Sequence, residues 1–256
     1  MKMFSKLAVA VALLSAACGG ARADSTVLNT GLASPPGTYY GGGNTNDHWT
    51  VTNTSGGSHD GIELGLRAVL RNVGSITPTA NVYFAPAGAG SPGRATWNFD
   101  FSLNLGSTGL KLSDFDGSSS MTITDLSNPS ITRTFNPFAV ADSRSYNGST
   151  FQNHSTADPL SNHFGTEIAF QNSENITFGE FIPPGFNLNA ETIYDIKFNL
   201  VGDSDGSAAG FSASDEIFVN TSPLPSVGSM GTAMLGLAGL GVVYRARTRK
   251  LAANPV

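Results

Sequence analysis

Arg94–Leu105 reads RATWNFDFSLNL, and this stretch decides the fold of the chain. Successive side chains of a β-strand point to opposite faces, so strict alternation of apolar and polar residues predicts a strand with one apolar face. The apolar face holds Trp97, Phe99, Phe101, Leu103 and Leu105, and the polar face holds Asn98, Asp100, Ser102 and Asn104. Burying these apolar side chains contributes on the order of 10 kcal/mol before chain entropy is subtracted. We therefore expect this strand at the centre of the core.

Other stretches alternate in the same way. Ile62–Leu70 predicts a half-buried strand, and Thr192–Val201 predicts a strand with Tyr194, Ile196, Phe198 and Leu200 inward. Ser120–Leu126 and Ile131–Phe135 flank a short turn and predict a hairpin. Shorter strands are predicted at Thr26–Thr30, His48–Asn53, Asn81–Phe84, Thr166–Gln171, Asn175–Phe178 and Phe211–Asn220, while Asn136–Asn162 reads as irregular.

About ten strands separated by turn residues, with no helical periodicity, predict an all-β domain. The expected architecture is an antiparallel two-sheet β-sandwich of jelly-roll or immunoglobulin-like type. A barrel is the alternative. A single domain over residues 24–221 has enough chain for one sizeable core.

Charge is distributed unevenly along the 256 residues. All 19 acidic residues lie between Asp24 and Glu216, where only seven cations occur, so this part carries a formal charge of −12. Such a balance argues against nucleic acid as a partner and against adsorption on anionic lipid. The only cysteine is Cys18, so the body has neither disulfides nor thiolate metal sites.

Residues 1–23 read as a secretory signal peptide. Lys2 and Lys6 precede the apolar run Leu7–Ala17. The small residues Ala21 and Ala23 then predict cleavage before Asp24, after export by the Sec route. Lipoprotein processing at Cys18 is the alternative.

Residues 222–256 form a tail with three parts. Pro223-Leu224-Pro225 keeps the chain extended. Residues 226–244 carry no charge and as a helix would span roughly 28 Å, close to the hydrocarbon thickness of a bilayer. The basic cluster, residues 245–250, contains Arg245, Arg247, Arg249 and Lys250 and favours the cytoplasmic side. A single transmembrane helix with the body on the far side is therefore predicted; a buried helix of a soluble domain is the alternative.

The tail resembles the PEP-CTERM sorting signal of Gram-negative bacteria, with Pro-Leu-Pro in place of the usual Pro-Glu-Pro. The resemblance implies that an exosortase-type membrane protease processes the tail. It implies an inner-membrane precursor with a periplasmic body, then release to the cell surface or medium, often in strains that make exopolysaccharide. The stretches ELGLRAVLR, WNFDFSLNL, QNSENITF and TIYDIKFNL look similar to the bodies of many such proteins. That similarity supports the sandwich and implies no activity.

Two loops have the pattern Asp-x-Asp-Gly: Asp114 and Asp116 before Gly117, and Asp203 and Asp205 before Gly206. This spacing can place two carboxylates around Ca²⁺. Neither loop has the later glutamate of an EF-hand, and polar turns favour the same residues. Calcium is therefore a candidate ligand of these loops, with a polar turn as the alternative, and no other cofactor is predicted.

Two further groups of residues are candidates for binding sites. Tyr40 and Tyr146 lie in loops, where exposed aromatic rings can stack on sugars. His154 and His163 lie near Asp158 and Glu167, a combination that can bind zinc. Their spacing matches no known ligand pattern, and we expect a solvated loop there.

The sequence contains no Gly-x-Ser-x-Gly elbow, P-loop or dinucleotide fingerprint. We therefore expect a non-enzymatic protein that is exported, tethered and then sorted, with a structural or adhesive role at the cell surface or in a biofilm matrix. A secreted carbohydrate-binding module, with or without calcium, is the alternative. A secreted hydrolase without a visible site is a third hypothesis.

Overall fold

A computed structural model describes residues 25–33, 45–55, 59–91, 93–179, 181–204 and 206–222. This part of the chain is all-β, as predicted, and contains three short 3₁₀ turns but no α-helix. The fifteen strands are β1 (Ser25–Thr30), β2 (Trp49–Asn53), β3 (Glu63–Leu70), β4 (Gly74–Ser75), β5 (Val82–Phe84), β6 (Ala89–Ser91), β7 (Arg94–Ala95), β8 (Trp97–Asn104), β9 (Ser120–Asp125), β10 (Thr132–Phe135), β11 (Arg144–Tyr146), β12 (Phe151–Asn153), β13 (Ala169–Glu174), β14 (Ile193–Val201) and β15 (Ser212–Asn220).

The strands form a large sheet and a small sheet. The large sheet runs β1-β2-β3-β8-β13-β11-β12, with β4 added beside β3, and the small sheet runs β10-β9-β14-β15-β5. A separate ribbon joins β6 and β7. All pairs are antiparallel except β15 and β5, where Phe218 pairs in parallel with Val82. The small sheet is therefore mixed, whereas the sequence predicted purely antiparallel sheets.

The two sheets share one apolar core, which gives the molecule a β-sandwich-like architecture. The inward side chains of β8, from Trp97 to Leu103, are all buried, as the alternation predicts. Aromatic rings meet between the sheets: Trp97 lies 5.8 Å from Tyr194, and Phe101 lies 6.3 Å from Phe198. The inward set of β14 is also confirmed.

The expectation that β3 is half-buried is wrong. Glu63 and Arg67, on its polar face, are buried as fully as the apolar residues on the other side. A second apolar cluster of Leu32, Trp49 and Val51 lies apart from the main core. It covers this outward face, with the guanidinium of Arg67 stacked 4.3 Å from the ring centroid of Trp49.

The long strand predicted at the centre of the fold is interrupted at Thr96, and the strand predicted at Asn175–Phe178 does not form. The two differences have one cause. The buried amide of Asn175 donates to the carbonyls of Ala95, at 3.1 Å, and Trp97, at 2.9 Å, and accepts from the amide of Ala95 at 3.1 Å. A side chain thus replaces strand pairing at the break between β7 and β8.

The region predicted as irregular, Asn136–Asn162, contains the hairpin β11–β12. The turn between these strands is closed by Asn147, whose side-chain oxygen accepts from the amides of Ser149 and Thr150 at 3.0 Å each. Gly148 within it has a φ of +99°, which favours glycine. β11 pairs with β13 and so adds the hairpin to the edge of the large sheet.

Several predicted features lie outside the described residues. They are the signal peptide with Cys18, Ala21, Ala23 and Asp24, the loop residue Tyr40, the carboxylate of Asp205, and the tail from Pro223 onward with its predicted span and basic cluster. Among the residues that are described, none belongs to a helix long and apolar enough to cross a bilayer.

Candidate functional site

The two Asp-x-Asp-Gly loops, 86 residues apart in sequence, meet in the structure. The amide of Asp203 donates to the carbonyl of Asp114 at 2.8 Å, and the amide of Gly117 donates to Oδ2 of Asp203 at 3.3 Å. The carboxylate of Asp114 accepts from the amides of Lys111, at 2.8 Å, and Ser207, at 3.3 Å. Asp114 therefore stabilises the loops themselves, and Asp116 and Asp203 remain as the carboxyl pair.

Electrostatics distinguishes Asp116 from an ordinary surface carboxyl. Burial and the nearby negative charge of Asp203 raise the pKa of Asp116. Oδ1 of Asp203 is buried and has no hydrogen-bond partner within the described residues. Two like charges held together in this way can share a proton or a cation.

The hairpin β11–β12 presents an aromatic pair on the outward face of the large sheet. Tyr146 and Phe151 are directly opposite each other in the ladder, with ring centroids 4.9 Å apart and planes at 34°. The guanidinium of Arg144 lies 5.0 Å from the ring of Phe151. Phe151 is 40% exposed and Tyr146 is partly exposed. The sequence predicted Tyr146 but missed Phe151, which only the cross-strand register places beside it.

The opposite face of the same hairpin begins a polar cluster at the edge of the sheet. Ser145 is fully buried, and its hydroxyl lies 2.7 Å from Nε2 of His154. His154 directly follows β12 and is only 4% exposed. Its Nδ1 is buried and has no hydrogen-bond partner among the described residues. The prediction of a solvated loop is therefore wrong for His154.

Asp158 and His163 complete this cluster. Nε2 of His163 lies 2.9 Å from Oδ1 of Asp158, and the two histidine rings are 5.1 Å apart. The amide of Gln152 lies 3.3 Å from Oδ2 of Asp158 and 3.1 Å from Nε2 of His163. One ligand atom from each of His154, Asp158 and His163 lies within 4.8 Å of the other two. Glu167, grouped with them in the sequence interpretation, is buried outside this triad.

Local structure explains why these residues converge. A turn links the amide of Ser155 to the carbonyl of Asp158 at 3.1 Å and reverses the chain after His154. Pro159 then begins the 3₁₀ turn Leu160–His163, which brings His163 back over Asp158. The buried Leu160 anchors this turn in the core. Ten residues thus place three potential ligands at one point.

The charges within the triad are coupled. Burial and the nearby His163 lower the pKa of His154, and the carbonyl and carboxylate of Asp158 oppose this effect. Hydrogen bonds from His163 and Asn162 lower the pKa of Asp158. At neutral pH, His154 is therefore a neutral imidazole beside a carboxylate.

A Ser145–His154 pair has the hydrogen bond of a nucleophile and its base, but the burial of Ser145 prevents a substrate carbonyl from reaching its hydroxyl. The hydroxyl instead orients the imidazole.

A groove of about 390 Å³ lies next to the loop that follows β12. Its lining includes Phe138, Val140, Thr156, Pro159 and Phe164. Polar and apolar side chains both line this groove, and it lies beside the triad at this end of the large sheet.

No protein-family model matches the chain, and neither the curated proteins nor the solved structures that were searched contain a match to it.

Proposed function

We propose that the protein is exported, tethered in the inner membrane by its tail, processed by an exosortase-type protease, and then placed at the cell surface or in an extracellular matrix. Its body has a structural or adhesive role and no catalysis of its own. The finer architecture, a jelly-roll or immunoglobulin-like sandwich, stays a prediction of the same proposal.

The bounds of the first and last described strands are compatible with the processing scheme. β1 begins at Ser25, directly after the predicted cleavage site before Asp24. β15 ends at Asn220, three residues before the Pro-Leu-Pro motif at Pro223. Cleavage at either predicted position would therefore leave every strand of both sheets intact.

The adhesive role is proposed for the outward face of the small sheet. The hydroxyls of Thr122 and Thr134 are 3.1 Å apart, and those of Thr124 and Thr132 are 3.0 Å apart, so they form two rungs of what we name the threonine face. On the neighbouring strands, Lys197 is directly opposite Thr122, and Glu216 is directly opposite Lys197, so these two residues extend the first rung. A broad array of hydroxyl and charged groups on a rigid sheet suits many weak contacts with a hydrated polymer.

Processing is tested by the intact mass of the protein recovered from its native host, with cells and medium analysed separately. The proposal expects a chain that begins at Asp24 and ends near Pro223–Pro225. Replacing Pro223 and Pro225 by alanine should leave the tail attached, whereas Pro184→Ala, at an exposed turn of the body, should leave processing unchanged. A wild-type mass that retains the whole tail would remove the sortase from the proposal.

Adhesion is tested by co-sedimentation of the protein with exopolymer from the same host. Thr132→Asp and Thr134→Asp add negative charge to the threonine face and should weaken association with an anionic polymer. Ser149→Asp adds the same charge at the turn of the β11–β12 hairpin on the other sheet and is the matched control. If the two threonine variants and the Ser149→Asp control associate equally with the polymer, the threonine face is excluded as the contact.

One observation favours a carbohydrate-binding module as a second candidate. Tyr146 and Phe151 form a paired aromatic surface with a cation beside it, an arrangement that stacks on sugar rings. Tyr146→Ala or Phe151→Ala should abolish affinity on a glycan array. Phe178→Ala is the control, because the ring of Phe178 also packs against an arginine but lies outside the aromatic pair. The guanidinium carbon of Arg94 is 4.5 Å from the centroid of that ring. An array without signal, with and without Ca²⁺, would reject this candidate.

A further inference from the structure

The strongest unassigned feature of the molecule is the triad of His154, Asp158 and His163. Three side chains of metal-ligating type converge from three local elements: the end of the β12 hairpin, the turn that follows it, and the last residue of a 3₁₀ turn. The proposed surface role makes no use of this triad. Its arrangement therefore calls for an explanation of its own.

His154 supplies the observation that distinguishes this triad from a chance group of surface residues. It is 4% exposed, and its Nδ1 has no hydrogen-bond partner in the described part of the chain. A buried polar atom without a partner costs free energy that a folded protein usually avoids. A ligand at Nδ1 would remove that cost.

The geometry points to a binding site for a divalent first-row transition metal ion of the zinc type. The ligands are the free ring nitrogen of His154, one carboxylate oxygen of Asp158 and a ring nitrogen of His163. Two imidazoles and one carboxylate match the preferences of Zn²⁺, whereas Ca²⁺ and Mg²⁺ prefer oxygen ligands alone. Three protein ligands leave a fourth position of a tetrahedral ion for water or another small ligand.

The surrounding groups suit a metal site. In the tautomer whose Nε2 donates to the hydroxyl of Ser145 at 2.7 Å, the lone pair of the His154 imidazole is on Nδ1, which forms no hydrogen bond with the described residues. Metal-ligating histidines usually donate their second nitrogen to an oxygen in this way. Gln152 contacts both Asp158 and His163 and holds them side by side. Ser145 and Gln152 are thus positioning residues.

The distances require only a small closure. Ligand atoms around a tetrahedral zinc lie roughly 3.3 Å apart, given bonds of about 2.0–2.1 Å. Oδ1 of Asp158 and Nε2 of His163 already lie 2.9 Å apart. One ligand atom from each of the three residues lies within 4.8 Å of the other two. Asp158 and His163 are on the solvent side, with side chains 49% and 25% exposed, so both can adjust while His154 stays fixed. The same exposure opens a path for the ion.

Binding would also fasten the edge of the large sheet. The triad joins the β11–β12 hairpin to the loop that follows it, and that loop lines the neighbouring groove. A metal that binds the folded state alone stabilises this connection by mass action.

The test uses full-length protein purified through a tag without histidines and stripped with a chelator. Zn²⁺ binding is measured by competition with a chromogenic chelator, and Co²⁺ binding by the visible absorption bands of the bound ion. We expect one saturable equivalent of Zn²⁺ and cobalt bands typical of low coordination. His48→Gln removes one of the four histidines away from the triad and should leave both readouts unchanged.

The variants His163→Gln and Asp158→Asn change partly exposed side chains and should fold normally. Each should weaken Zn²⁺ binding more than about 100-fold, because loss of an outer-shell partner alone costs about 10–100-fold. Ser145→Ala should fall within that smaller range. Circular dichroism of each variant verifies that it is folded. Absence of saturable binding in the wild type, or equal affinity in His163→Gln and His48→Gln, would overturn the inference.

Discussion

Nε of Arg67 donates to Oδ2 of Asp100 at 2.8 Å, and both side chains are almost completely buried, at 1% and 3% exposure. The two residues are directly opposite on β3 and β8. The other end of the guanidinium donates to the carbonyls of Thr45, at 2.7 Å, and Asp47, at 3.0 Å. This ion pair therefore joins the centre of the large sheet to the segment that leads into β2.

Removal of Arg67 alone should be severe. Arg67→Met leaves Asp100 buried without its counter-ion and should lower the free energy of unfolding by about 3–5 kcal/mol, measured by urea denaturation. The double variant Arg67→Met/Asp100→Leu should recover much of that loss, since it leaves no buried charge. Arg133→Met, on the exposed edge strand β10, should stay within about 0.5 kcal/mol of wild type. Additive losses in the double variant would contradict this account of the pair.

Truncation of Trp97 should strongly destabilise the protein. Its ring is buried between the sheets beside Tyr194. Trp97→Ala should lower the free energy of unfolding by about 3–5 kcal/mol through loss of burial and creation of a cavity. Val73→Ala is the control, because Val73 is 80% exposed, and its effect should be close to zero. Similar urea midpoints for the two variants would show that Trp97 does not occupy the core.

Asp195 should make stability depend on pH. Burial, followed by the negative charge of Glu216, raises the pKa of Asp195 to about 7 from a usual value of 3.8, although Lys197 acts in the opposite direction. Between these values the folded state keeps a proton that the unfolded state has released. The free energy of unfolding therefore falls as the pH rises from about 4 to about 7.

The decrease in the free energy of unfolding that comes from Asp195 should be on the order of 1 kcal/mol, because solvent screens a partly exposed carboxyl. Asp195→Asn should remove that part of the pH dependence, and Glu191→Gln, at an exposed position, should retain it. Urea titrations at several pH values measure both. A variant Asp195→Asn with the same pH profile as wild type would assign the dependence to other groups.

The carboxyl pair of Asp116 and Asp203 predicts a response to calcium. Because the pKa of Asp116 is raised by burial and by Asp203, Ca²⁺ should relieve the repulsion and increase the Tm. Asp116→Asn should abolish this increase, and should itself stabilise the protein slightly, by less than about 1 kcal/mol, because solvent screens this partly exposed site. Asp60→Asn, elsewhere on the surface, should respond as wild type does. A Tm of the wild type that is independent of Ca²⁺ would exclude calcium from these loops.

The strands with long alternating patterns could be predicted from sequence because their signal is local. The inward faces of β8 and β14 depend only on the two-residue period of a strand, and both predictions are confirmed. Short strands carry too few residues for such a signal. β11 and β12 form because β11 pairs with β13 and because the turn at Asn147 closes the hairpin between them.

The candidate sites were predictable only in part, for a related reason. The two aspartate loops have a recognisable pattern, but their meeting depends on the small sheet and the 3₁₀ turn Leu112–Asp114 coming together. His154 and His163 have no recognisable spacing. Their convergence on Asp158 results from the burial of Leu160 and the reversal of the chain after β12.

The sequence by itself determined the class of this protein, because a strand's alternation decides which side chains leave water: Trp97, Phe99 and Phe101 can share a core only as a β-strand. The tertiary structure decided which polar side chains join them. Arg67 and Asp100 are buried because strands distant in the chain become neighbours and Trp49, from a second apolar cluster, stacks on Arg67. Such burial depends on partners distant in sequence, which no local pattern encodes.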